Sequence, residues 1–260
     1  MTDNNQKSKD NNQQVKKLMN RKLKKFTKLT EQCYEDMIGM SKNSRCWMQA
    51  FDLLKEIVLE GRQNDPSFAP ELVQLDDATD FAYDFEGWIE DFTDDLDMNH
   101  EYETLLRVCD DLLDLFDWPD YTGSDVKFMR SSALISLGRK NEAALYCREW
   151  IQKEPENIAA AAAAVYALTA VRDFDAAEQL IHRFIIDSNE CTEENDIMFT
   201  AASRFYEITG NKKAKKKMDQ ALEAYEESLK DMFDMDGFDD DFDEDVDDLL
   251  AFLDEGLPFN

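Results

Sequence analysis

Residues 137–143 read Leu137-Gly138-Arg139-Lys140-Asn141-Glu142-Ala143, and Tyr146, Trp150 and Pro155 follow. A glycine between two segments of helical composition lets the chain reverse. An alanine lets two helices approach closely, and a proline cannot continue the helix that it follows. The pattern predicts a helical hairpin over 124–157. Thirty-four residues on, Arg172-Asp173-Phe174-Asp175-Ala176-Ala177 keeps the register, with Ala177 in the place of Ala143 and Phe184 in that of Trp150. A third segment, Asn195 to about Leu229, has Phe205, Tyr206, Gly210, Ala214 and Ala221, with the turn read as one residue shorter. Self-similarity near 34 residues marks stacked hairpins, each burying its face only against its neighbours.

These residues resemble the tetratricopeptide repeat, which has a glycine at the turn, a small residue five positions later and a proline closing the second helix. The resemblance extends over 124–229 and is clearest over 124–191. It implies an all-α fold, a helical-hairpin array of α-solenoid type with a concave binding face. By the same resemblance the chain is a non-catalytic scaffold or adaptor that holds a protein or peptide, with chaperone-like shielding of a client as one form of that role.

Composition points the same way. Eight Gly and five Pro in 260 residues are too few for the many tight turns of an all-β fold. The formal charge of −29 repels nucleic acid and anionic membranes and favours a basic protein or peptide as partner. The five cysteines, Cys33, Cys46, Cys109, Cys147 and Cys191, are widely spaced without a CxxC pair, which suits free thiols in a reducing compartment. No apolar leader and no apolar run of spanning length is evident, so the chain reads as soluble and cytoplasmic, with no membrane span.

Charge divides the chain into zones. Residues 1–30 form a basic arm, with nine Lys/Arg in the first 28 positions and an amphipathic helix expected from Val15. Residues 31–120 read as an acidic helical domain of divergent hairpins. Its helices are expected at 46–60, ended by Gly61, then at 76–96 and 100–117, with a turn near Met98-Asn99. Residues 121–229 hold the hairpins, including a lysine patch at Lys212, Lys213, Lys215, Lys216 and Lys217. Residues 230–260 are an acidic tail studded with apolar anchors Val246, Leu249, Leu250, Leu253, Leu257 and Phe259. The first four are spaced i, i+3, i+4, i+7, which predicts a short helix over 243–254 able to dock in a groove, the array's own included.

Catalytic patterns are missing. The two histidines, His100 and His182, have no metal-ligating partner at helical spacing, and no phosphate-cradling glycine loop occurs. Asp234-Met235-Asp236-Gly237 has the core of a calcium loop, but Met232 stands where the first carboxylate is required. The reading is therefore no enzyme, no cofactor and no metal. A competing reading is an acidic nucleic-acid mimic that sequesters a nucleic-acid-binding protein.

Overall fold

The structure, a computed structural model, describes residues 21–39, 45–77, 79 and 81–235, and all regular structure among them is helical. The expected helix from Val15 and the tail anchors from Val246 to Phe259 lie outside the described residues. The chain forms two compact units, Met1–Glu178 and Gln179–Asn260.

Unit 1 begins with α1 (21–37), α2 (Cys46–Asn64), α3 (Leu72–Asp77), α4 (Phe85–Met98) and α5 (Tyr102–Leu115). Their core is aromatic. Phe26 of α1 lies 5.0 Å from the rings of both Phe85 and Trp88, and Trp47 of α2 stacks on Trp88 and Phe92 of α4. Such contacts add about 0.5–1.5 kcal/mol per pair beyond burial. Charges tie the rim: Lys22 reaches Glu56 and Glu60 on α2, and Lys55 reaches Asp111 on α5.

Two expected boundaries move here. Gly61 does not break α2, which runs on to Asn64. A Cβ at this position would sit 2.2 Å from the Phe68 ring, so the glycine makes room for a side chain folding back from the following loop. The helix expected over 76–96 is instead two. Asp76, almost fully buried, accepts from the N–H groups of Phe85 (2.8 Å) and Glu86 (3.1 Å), while left-handed Asp84 accepts from that of Gly87. Carboxylates that satisfy free amide donors start a helix rather than continue one. Helices α3 and α4 are thus separate, and α4 ends at Met98 with the chain reversing at Asn99-His100, where the turn is expected.

A 3-10 turn (Pro119–Tyr121) leads to α6 (Ser124–Ser136), α7 (Lys140–Lys153), α8 (Ile158–Ala170) and α9 (Phe174–Phe184). The two units divide within α9. Helix α6 packs on α5, α7 and α8, and α7 packs on α8. Every residue from Ala160 to Val165 is fully buried, so α8 is enclosed by backbones approaching closely over small side chains. At the foot of the hairpin, Glu154 accepts from Lys127, Trp150 Nε1 and Asn157, and Asn157 caps α8 through the Ala160 N–H. Burial opposes ionisation of Glu154, but these donors outweigh it and hold the carboxyl below its usual range.

In unit 2, α10 (Asp196–Thr209) packs along α11 (Lys212–Met235), and Ser203 donates to Asp219 across the pair.

Four helix pairs turn in the same way. At α4–α5, Glu101 N–H donates to Leu96 C=O and His100 N–H to Asp97 C=O. The same two bonds recur from Arg139 and Gly138, from Asp173 and Arg172, and from Asn211 and Gly210. In each the reversing residue is left-handed, at φ 59° (His100), 75° (Gly138), 63° (Arg172) and 77° (Gly210). This is the Schellman arrangement, which satisfies the last carbonyls of a helix. The reversals are spaced 38, 34 and 38 residues apart. In every case the next helix starts two residues later, so the third turn is not shorter. The position of Ala143 and Ala177 is occupied there by Lys215, and Ala214 stands one place before it.

Candidate functional site

The surface of unit 1 carries a groove of about 720 Å³ between the end of α1, the start of α2, the second half of α4 and the start of α5. Its apolar lining is Met37, Trp47, Met48, Phe92, Leu96 and Met98; Asp36, Asp91, Asp94, Asp95 and Glu101 supply five carboxylates, and no Lys or Arg is among the lining residues. Helical geometry makes the pattern. Asp91, Asp94, Asp95 and Met98 fall at i, i+3, i+4 and i+7 of α4 and share one face. Trp47 and Met48 sit in the first turn of α2, where Trp47 is locked by stacking on Phe92 at 5.5 Å.

Among the described residues none of these acids is in an ion pair, while the Arg107 guanidinium reaches Met48 of the lining. Burial, then the charges of Asp91 and Asp97, raise the Asp94 carboxyl; burial, then Glu101, raise Asp95 against an opposing hydrogen bond from Asn99. Tyr34 of α1 donates to Asp91 at 2.8 Å, which ties this rim to α1. Of the apolar lining, Met98 is 79 % exposed and Met37 is exposed too, as is the neighbouring Ile38, whereas Trp47, Phe92 and Leu96 are buried beneath them. Methionine adapts its shape to what it meets, so an acid-rimmed methionine groove suits a basic segment bearing apolar side chains.

None of the residues that mark the repeat lines this groove. Ala143, Ala177 and Trp150 are buried, while Tyr146 is half-buried with the Arg130 guanidinium 4.3 Å from its ring centre. Phe184 ends α9, half-buried; Ala214 is half-buried; Pro155 is exposed two residues beyond α7; Gly138 and Gly210 are exposed at their turns. Sequence reading expected the binding face in the hairpins at 121–229 and missed the groove. The signal lay in α4, where a face of three acids and a methionine has no Lys or Arg one turn away.

Groups able to do chemistry are distributed without a constellation. Cys33, Cys46, Cys109 and Cys147 are buried free thiols and Cys191 is a half-buried one. Burial pushes Cys147 up to about 11 and Cys109 up to about 12, away from thiolate reactivity. His100 sits in its turn with Nδ1 2.8 Å from the Tyr102 hydroxyl, and His182 is exposed on α9. Among the described residues no group of three His, Cys, Asp or Glu is placed to hold a metal ion, and no helix is long and apolar enough to cross a membrane.

No known protein family, curated protein or solved structure matches the chain.

Proposed function

We propose that the protein is a non-catalytic interaction scaffold of tetratricopeptide type, whose acidic groove on unit 1 binds a basic, apolar-studded polypeptide segment, best an amphipathic helix. The observation that carries this reading is a groove in which five carboxylates, two of them raised by burial and neighbouring charge, surround the exposed Met37 and Met98. Lysines of a partner would relieve the repulsion while its apolar side chains cover the methionines. The repeated turns and the buried alanines at 143 and 177 support the array reading. Free, mostly buried thiols support a reducing, cytoplasmic setting.

Two synthetic peptides of equal charge test the groove: an amphipathic Lys/Leu helix and an oligolysine. Calorimetry is expected to show tighter binding of the amphipathic peptide. Asp94→Lys with Asp95→Lys is expected to weaken it by at least about tenfold, or 1.4 kcal/mol, while Glu226→Lys with Glu227→Lys in unit 2 has little effect. Equal binding of the two peptides, or equal losses from both pairs of substitutions, would overturn the groove. That outcome would leave diffuse acidic mimicry of nucleic acid as the reading.

A further inference from the structure

Unit 2 carries a basic face in an acidic chain. Along α11, Lys213, Lys216, Lys217 and Gln220 recur at i, i+3, i+4 and i+7, are all exposed, and line a depression of about 480 Å³. The other face of the helix holds Met218 and Ala221, buried in unit 2 where α10 packs along α11. Lys215 pairs with Asp219 at 2.7 Å, but Lys212, Lys213, Lys216 and Lys217 make no ion pair among the described residues. Two of the like-charged spacings, Lys212 to Lys216 and Lys213 to Lys217, are i, i+4, an arrangement that destabilises a helix unless an anion covers it.

We propose that residues 236–260 of the same chain fold back along this lysine face and neutralise it. These 25 residues contain eleven Asp/Glu and no Lys or Arg. Asp240, Asp243, Glu244, Asp247 and Asp248 recur at the interval of the lysines, and Val246, Leu249, Leu250 and Leu253 are interleaved with them at the same spacing. Reach is ample. From Lys217 to the end of α11 the helix rises about 27 Å, and 25 residues extend up to roughly 80 Å. Attachment to α11 also gives the tail a high effective concentration at the lysines, which a separate acidic partner lacks. Any polyanion that approaches this face must then displace the tail.

Zero-length amine-to-carboxylate cross-linking of the full chain in low salt, read by mass spectrometry, tests the contact. Links from Lys213, Lys216 and Lys217 to acids of 236–255 are expected in the monomer, severalfold more abundant than links from the equally exposed Lys24, Lys25 and Lys28, and severalfold weaker in 0.5 M salt. Lys213→Glu, Lys216→Glu and Lys217→Glu together are expected to speed cleavage of the tail by a Glu-specific protease severalfold, while the same reversals at Lys24, Lys25 and Lys28 leave the rate unchanged. Tail links spread evenly over both lysine groups, links found only between two copies of the chain, or a cleavage rate insensitive to the α11 reversals would each overturn the proposal.

Discussion

Within unit 1, α1–α5 and α6–α8 solve the packing of helices in opposite ways. The first group fills its interior with Phe26, Trp47, Phe51, Phe85, Trp88 and Phe92; the second brings backbones together over Ala143, Ala144 and the alanines of α8. Their acids differ in the same sense. Asp94 and Asp95 make no ion pair among the described residues, whereas Glu154 is held by three donors. Large side chains keep helices apart and leave a rim where a groove can open. Small ones close the surface and let polar groups satisfy each other locally.

The largest test of this contrast is substitution in opposite directions. Trp88→Ala is expected to cost about 3–5 kcal/mol, whereas Ala163→Leu, which adds volume where no space exists, is expected to cost about 1–3 kcal/mol. Urea unfolding measures both, and a tolerant Ala163→Leu would show that α8 is loosely packed. A smaller effect separates the turns. Gly138→Ala is expected to cost about 1–2 kcal/mol, the strain of a left-handed L-residue; Arg172→Gly removes that strain at the matching position and is expected to gain about 0.5–1 kcal/mol. Thermal melts of the two variants are expected to shift in opposite directions.

The smallest effect is in pH dependence. Asp94 and Asp95 bind protons more tightly in the folded chain, so their contribution to stability falls as pH rises through their folded range. Glu154, held low, contributes above the ordinary glutamate range, and that contribution is lost as pH falls through its folded value. Asp94→Asn with Asp95→Asn is therefore expected to raise stability at neutral pH by less than about 1 kcal/mol, since solvent screens these partly exposed charges. Glu154→Gln is expected to remove part of the loss in acid. Melting curves across pH 3–8, a span set by about the ordinary carboxylate and histidine ranges, separate the two slopes.

The hairpins of α6–α9 were legible because Gly138 marks one reversal and the small residues Ala143 and Ala177 recur at a fixed interval, although the matching reversal at Arg172 carries no glycine. Other features depended on distant partners. Gly61 looks like a helix breaker until Phe68 is seen occupying the space where its Cβ would be. The acidic and aromatic run from Asp76 looks like one helix until its carboxylates are found capping α4. The groove draws on residues 36–37, 47–48 and 91–101, and no local pattern joins these stretches. The third turn misled because Ala214, a small residue near the expected place, masked the lysine that holds the matching position.

The uniform turns also determine where this chain can change length. Each reversal admits only the left-handed residue and one more before the next helix begins, whereas the connections at 116–123 and 185–195 have no such closure and differ in length from the one at 154–157. Insertions and deletions would accumulate in those connections and be rejected at positions 100, 138, 172 and 210. A hairpin is then the unit that relatives of this chain would gain, lose or exchange whole.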